Sequence, residues 1–153
     1  MKKIISVMLV IASLILMIPT VSVSAQDRTI SSDIIYLEDG GYIHIELTDE
    51  HNFARATDTK SKNYTRYNGN DEMLWKTTLT GSFTYNGVTS SCTSCNCTVT
   101  IYNDAWYTSS KTSWVSGNTA NATVEFGRKM LGVTVKRETV DLTLTCDKNG
   151  NFS

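Results

Sequence analysis

The sequence predicts an all-β domain built as an antiparallel two-sheet sandwich, of immunoglobulin-like or related Greek-key topology. Apolar and polar residues alternate with a period of two in several segments, and Gly, Asn and Asp cluster between those segments. No segment after residue 25 has the period of a helix. A small closed β-barrel is the alternative, because a barrel and a sandwich hide the same alternating faces. The seven or eight strands expected do not separate the two.

The first 25 residues have the features of a secretory signal peptide. Lys2 and Lys3 provide a basic start, residues 4–18 are largely apolar, and residues 23–25 offer small side chains at a cleavage site. An uncleaved membrane anchor is the alternative. A proline and the cleavage site follow the apolar run, whereas a spanning helix needs about 20 apolar residues. We therefore expect a mature, secreted chain that starts at Gln26 and has no membrane attachment.

The mature chain is expected to consist of a flexible segment at residues 26–32 and a single β domain at residues 33–153. It retains 12 of the 14 lysine and arginine residues against 15 acidic ones, a formal charge of −3. Nucleic acid and anionic membrane surfaces select basic patches. We therefore expect neither of them as a partner.

Residues 75–102 are predicted to form a central β-hairpin around the dipeptide Asn86-Gly87. Asn-Gly suits the two central positions of a type I′ turn, where φ is positive at both. One face of the first strand then carries Leu79, Gly81, Phe83 and Tyr85. In the returning strand, Cys92 and Val99 are both expected to face the core, although strict alternation would place them on opposite faces. This break in the alternation predicts a β-bulge around residues 93–96.

Further strands are predicted on both sides of the central hairpin. Val133 and Val135 have the opposite parity from Val140, which predicts a second bulge near residues 136–139. The other expected elements are a hairpin from residues 34–37 and 42–47, a connection at 48–61, a strand at 62–67, a polar stretch at 108–117, and strands at 119–126 and 133–146. Trp106 and Trp114 are expected to cap the end of the core from loops or a short strand.

Four cysteines in an exported domain are expected to be oxidised rather than catalytic. Cys92 and Cys146 are the predicted disulfide, because Cys92 lies opposite Gly81 in the hairpin and Cys146 ends a strand with an apolar face. Cys95 and Cys97 could bridge each other, stay reduced or pair elsewhere. A metal or redox site built from all four is the alternative. Their Cys-x-x-Cys motif lies in a strand rather than at a helix N-terminus, which favours structural bridging.

The sequence predicts no catalytic residue, metal site or cofactor. His44 and His51 are the only imidazoles, and no nucleophile elbow accompanies them, so we expect both at the surface. Glu38 and Asp39 lie in a turn. Turn acids are usually turn formers and solvated charges rather than a hydrolytic pair or a calcium loop.

Aromatic side chains near strand ends and in loops are the candidate binding residues. Rings interleaved with Asn, Asp and Thr can stack on sugars or pack on a protein partner. The alternative is that the rings close the ends of the core, because most large aromatic side chains are substantially buried. The candidates are Tyr64, Tyr67, Trp106, Tyr107 and Trp114.

Three passages carry a resemblance to a known family. They are YLEDGGY at residues 36–42, GSFTYNG at 81–87 followed by Cys92, and VDLTLTC at 140–146 followed by NGN at 149–151. Together they resemble a family of small secreted proteins of unknown function from gut Firmicutes. The resemblance implies bacterial export and cysteines at the positions of Cys92 and Cys146, and it implies no catalytic or binding residues. The additional Cys95 and Cys97 depart from the family pattern.

The sequence therefore predicts a secreted, non-enzymatic binding module for a carbohydrate or a surface protein. The alternative is a structural or self-associating extracellular component whose Thr-rich edge strands pair with a neighbour. An enzyme that uses His44 or His51 is the third hypothesis.

Overall fold

The computed structural model describes residues 28–49 and 57–153, which form two antiparallel β-sheets. The predicted signal peptide and His51 lie outside these ranges. Within the described ranges no helix is long and apolar enough to cross a membrane. The strands are β1 (Arg28–Tyr36), β2 (Tyr42–Asp49), β3 (Asp58–Tyr67), β4 (Met73–Tyr85), β5 (Ser90–Ile101), β6 (Trp106–Ser116), β7 (Thr119–Met130) and β8 (Val133–Thr145).

Strands β1 to β5 form one sheet and strands β6 to β8 form the other, so the predicted two-sheet architecture is confirmed. The sheets are not closed into a barrel. Each sheet is a meander, because hydrogen-bonded neighbours are also consecutive in the chain. This order is simpler than a Greek key, in which a strand returns beside a non-consecutive one. Strand β1 begins at Arg28, so it includes residues that the sequence places in a flexible segment ahead of the domain.

The core lies between the two sheets. Alternation along β4 turns Trp75, Leu79 and Phe83 inward, and alternation along β7 turns Val124 and Phe126 toward them. The rings of Trp75 and Phe126 stack across the two sheets with centroids 4.0 Å apart and an interplanar angle of 9°. These side chains are fully buried, so they contribute to the hydrophobic stabilisation that joins the sheets.

The bulge predicted in the returning strand of the central hairpin is confirmed. Ser94 pairs with Ser82 and Cys92 pairs with Phe83, which leaves Thr93 as the extra residue. Thr93 and Ser94 are both exposed, as expected where the alternation is interrupted. The bulge lets the buried cysteines on either side of it face the core.

A bulge also interrupts β8, at Val135, next to the predicted range. Val133 and Val135 nevertheless remain exposed, because the β7–β8 hairpin extends beyond the core at this end. The prediction of a bulge is therefore confirmed, while neither valine joins the core.

The type I′ turn predicted at Asn86-Gly87 is wrong. Gly87 has a φ of 82°, but φ of Asn86 is not positive, and the loop between β4 and β5 has four residues. The Asn86 Oδ1 atom accepts two backbone N–H groups later in the loop, at 3.0 and 2.9 Å, and this side-chain turn sets the conformation. Positive φ at two consecutive positions occurs instead at Leu131-Gly132, between β7 and β8.

The polar stretch at residues 108–117, predicted as a loop or short strand, forms most of the eleven-residue edge strand β6. Its sequence shows no alternation because nearly every residue after Trp106 is exposed on both faces. Trp106 is buried, so its predicted place at the core is confirmed, whereas Trp114 is 48% exposed and caps nothing.

Candidate functional site

The outer side of the five-stranded sheet carries three tyrosines, Tyr36, Tyr42 and Tyr67, which we call the tyrosine row. They are direct cross-strand partners on β1, β2 and β3, so their side chains project from the same face. The ring centroids of Tyr36 and Tyr42 are 6.2 Å apart, and those of Tyr42 and Tyr67 are 4.8 Å apart and nearly parallel. Tyr36 is 78% exposed. The row is thus an aromatic surface that opens to solvent toward β1.

A cleft of about 340 Å³ lies beside the tyrosine row. Its polar side is the turn between β3 and β4, where Asn68 Oδ1 accepts the N–H groups of Asn70 and Glu72 at 2.9 and 3.0 Å. These bonds hold the turn rigidly, and the cleft volume is within the range of small-ligand sites. The lining residues are Ile34, Tyr36, Gly40, Tyr42, Asn68, Gly69 and Asp71.

The pKa values of two hydroxyl groups of the tyrosine row, those of Tyr42 and Tyr67, are raised. Desolvation raises the pKa of Tyr42, and the Asp71 carboxylate beside its hydroxyl raises this pKa further. Desolvation is also the main cause of the raised pKa of Tyr67, with the charge of Glu46 adding to it. At neutral pH the Tyr67 hydroxyl can donate a hydrogen bond to a ligand, whereas the Tyr42 hydroxyl donates to Asp71.

A second cleft of about 210 Å³ shares Asn68 and Gly69 with the first, so the two clefts are contiguous. It runs from the tyrosine row toward the gap between the sheets, and its surface is more cationic. The lining residues are Asp39, Arg66, Asn68, Gly69, Leu74, Asn103, Trp106 and Arg128.

An ion-pair cluster forms the back of the second cleft. Arg66 Nη2 and Lys136 Nζ donate to the same Asp39 oxygen at 2.6 and 2.7 Å, and Lys136 also pairs with Glu138 at 2.7 Å. The hydrogen bond from Lys136 is the main cause that lowers the pKa of Asp39 to about 2, with the charge of Arg66 adding to it. The cluster ties the β1–β2 turn of one sheet to β8 of the other. It thereby fixes the position of the turn beside the tyrosine row.

Gly41 is required by this cluster. A Cβ atom at this position would collide with the Arg66 guanidinium and with the backbone oxygen of Tyr67. Two residues thus explain the Asp-Gly-Gly sequence of the turn. Asp39 accepts hydrogen bonds from Arg66 and Lys136, and Gly41 leaves room for the Arg66 guanidinium.

The five aromatic residues predicted as binding candidates do not lie together. Tyr67 belongs to the tyrosine row, and Trp106 lines the second cleft although it is buried. Tyr64 is half-buried on the inner face of β3, and burial raises its pKa. The structure therefore brings two of the five candidates to the candidate site and keeps Tyr64 against the core.

The two remaining candidates lie on the three-stranded sheet. Tyr107 packs over Gly127, its hydroxyl is 2.8 Å from Thr134 Oγ1, and Lys129 Nζ lies 4.7 Å from its ring centroid. Trp114 is seven residues further along β6, roughly 20 Å away at the rise of a strand. Neither contacts the tyrosine row.

Sequence reasoning missed Tyr36 and Tyr42, which are two of the three members of the row. They flank the turn at residues 37–41 symmetrically, so a hairpin closed by that turn makes them cross-strand partners. This symmetry was the available signal. The third member, Tyr67, joins the row through the pairing of β2 with β3. The sequence of the long connection between these two strands does not indicate their register.

All four cysteines are free thiols, so the predicted disulfide between Cys92 and Cys146 is wrong for this structure. The Sγ atoms point to different carbonyl oxygens, those of Ser94 and Asp147, each at 3.3 Å. Cys95, rather than Cys92, lies opposite Gly81. Burial raises the pKa of Cys92, and it raises the pKa of Cys146 to about 11. These thiols are thus poor nucleophiles at neutral pH.

The remaining polar candidates give no reactive arrangement in the part of the chain that the structure describes. His44 lies on the outer face of β2, with its Nε2 atom 2.9 Å from Ser32 Oγ. In residues 28–49 and 57–153, no three His, Cys, Asp or Glu side chains are close enough together to hold a metal ion. The tyrosine row and its two clefts are therefore the best-formed site in these ranges.

Comparison with known proteins assigns the chain to no family. No family model, curated protein or solved structure matches it. The geometry of the tyrosine row and its clefts is therefore the basis for a functional hypothesis.

Proposed function

We propose that the chain is a secreted, non-enzymatic bacterial module that binds a carbohydrate on the tyrosine row. The observation that supports this most directly is the alignment of three cross-strand tyrosines beside a polar cleft of about 340 Å³. Aromatic rings offer flat apolar faces to the C–H groups of a sugar ring. The Asp71 carboxylate lines the same cleft and can accept hydrogen bonds from sugar hydroxyls.

The rigidity of the site supports binding to a preformed surface. The turn at residues 68–72 is held by the side chain of Asn68, and the turn at residues 37–41 is held by Asp39 and its two cations. A preformed site loses little conformational entropy when its ligand binds. A surface protein as ligand is the alternative, and it would need about 800 Å² of contact on this side, far more than the row itself.

Export and bacterial origin are part of the same proposal. They rest on the features of residues 1–25 and on the resemblance described above, and the aromatic surface is consistent with a protein that meets glycans outside the cell. Recovery of a secreted chain that begins at Gln26 would support export.

A glycan array followed by calorimetry tests the carbohydrate proposal. We expect Tyr36→Ala to weaken binding of an array hit about tenfold, which corresponds to roughly 1.4 kcal/mol, because the most exposed ring of the row is lost. Trp114→Ala is the matched control, since Trp114 is an exposed aromatic residue on the other sheet. Loss of binding in Trp114→Ala with unchanged binding in Tyr36→Ala would contradict the proposed location.

Self-association through β1 is a second candidate function. Strand β1 is a sheet edge, and its exposed side chains include Ile30, Ile34 and Ile35. Exposed apolar edge strands readily pair with a further strand. Sedimentation velocity separates the candidates: a monomer at all concentrations that binds glycan supports the first, and reversible assembly without ligand supports the second.

A further inference from the structure

We propose that Lys60 and Asp49 form an intramolecular isopeptide bond that covalently links β2 to β3. The two residues are the last registered pair of the β2–β3 ladder, and their side chains lie on the inner face of the five-stranded sheet. This site is separate from the tyrosine row, so the proposal does not depend on the proposed function.

The reacting groups are already in contact. Lys60 Nζ touches Asp49 Oδ1, and the two side chains are only 7% and 12% exposed. A nucleophile and an electrophile held in contact by a folded scaffold react as if at very high local concentration. The cross-strand register thus places the amine beside the carboxyl group that it would attack.

An aromatic ring lies over the Lys60 amine. The ring centroid of Phe152 is 5.2 Å from Lys60 Nζ, and Phe152 packs edge-on against Phe83. The C-terminal segment is held there by a β-bridge between Cys146 and Phe152. Burying an ion pair costs desolvation energy, whereas an amide carries no charge.

A second carboxyl group, that of Asp58, is available to move the proton. Asp58 Oδ2 lies 3.9 Å from Lys60 Nζ and accepts a hydrogen bond from the Tyr85 hydroxyl at 2.7 Å. Asp58 is more exposed than the reacting pair, so it can exchange its proton with solvent. We assign it the role of a proton shuttle between the amine and the departing oxygen.

The reaction balances without a cofactor or an oxidant. A proton passes from the Lys60 ammonium to the Asp49 carboxylate, the lone pair of the resulting amine attacks Cγ of the resulting carboxylic acid, and a carbon–nitrogen bond forms. The bond from Cγ to one carboxyl oxygen breaks. That oxygen leaves as water with one proton from the amine and one from the acid, and no atom is oxidised or reduced.

Mass spectrometry of the denatured, reduced full chain tests the proposal. We expect the mass to be one water below that of the unlinked sequence, and a protease digest to yield a branched peptide that joins Lys60 to Asp49. The branched peptide is the decisive readout, because an Asp-Gly succinimide at Asp39 would also remove one water. Two separate peptides with intact Lys60 and Asp49 would overturn the proposal.

Two variants complete the test. Lys60→Arg keeps the cation but offers no amine, and we expect it to yield no branched peptide. Asp58→Asn keeps both reacting groups, and we expect at least a tenfold slower appearance of the branched peptide, with an unchanged far-ultraviolet circular dichroism spectrum as evidence of folding. Formation of the link in Lys60→Arg, or at an unchanged rate in folded Asp58→Asn, would contradict the assigned chemistry.

Discussion

Asp39 shows how one side chain links the two sheets. It accepts hydrogen bonds from Arg66 in the five-stranded sheet and from Lys136 in the other sheet, 97 residues away in sequence. The sequence predicted only a turn acid here. Local spacing identifies the turn, whereas the partner on β8 is brought to Asp39 by the packing of the sheets.

The lowered pKa of Asp39 predicts a pH-dependent stability. Its pKa falls from 3.8 to about 2 on folding, so its contribution is present above pH 4 and is lost as the pH falls from about 4 to 2. Because the side chain is 44% exposed, we expect only about 1 kcal/mol after allowance for solvent screening. Urea unfolding of wild type and Asp39→Asn at a series of pH values measures it. The difference between them should shrink over this window, and a constant difference would contradict the prediction.

The faces of individual residues were largely predictable, whereas their contacts were not. Parity along one strand placed Leu79 and Phe83 in the core, and both are buried. Parity does not specify a rotamer, so it could not show that the thiols of Cys92 and Cys146 point to separate carbonyl oxygens.

In strand β5, a break in the alternation of the sequence corresponds to a β-bulge in the structure. The parity change predicted a bulge, and the register confirms it at Thr93. The turn before it was mispredicted, because the Asn86 side chain bonds within a four-residue loop instead of occupying a two-residue one. The prediction of a turn at this place was right. The type of turn depends on the loop length and on the hydrogen bonds that the loop forms, which local propensity does not specify.

Deletion of single residues in β5 distinguishes the bulge from the regular ladder. Deleting Thr93 should cost about 1 kcal/mol, because the ladder becomes regular and only the hydrogen bond of Thr93 to the Ser82 carbonyl is lost. Deleting Thr98 should cost at least about 3 kcal/mol, because the residues beyond it change faces and Val99 leaves the core. Chemical denaturation of both variants measures these costs. Equal losses of stability would argue against a bulge at Thr93.

For the molecule as a whole, the stacking of Trp75 on Phe126 is a fully buried contact between the sheets. Phe126→Ala should lower the free energy of unfolding by about 3 to 5 kcal/mol, because it opens a cavity in a closely packed interface. Trp114→Ala, on the outer face, should change it by less than about 1 kcal/mol. Thermal and urea unfolding provide the measurement. A larger loss from the surface tryptophan than from the buried phenylalanine would contradict this packing.

The sequence by itself determined the all-β class, the inward faces of the central strands, the hairpins β1–β2 and β4–β5 and the bulge in β5, because alternation and turn residues are local properties. Only the tertiary structure decided how β2 pairs with β3 and where the chain passes from one sheet to the other. Strand pairing joins residues that are distant in sequence, so alternation carries little information about it. Both the tyrosine row and the contact of Lys60 with Asp49 arise from such pairings, and each became visible only in the folded chain.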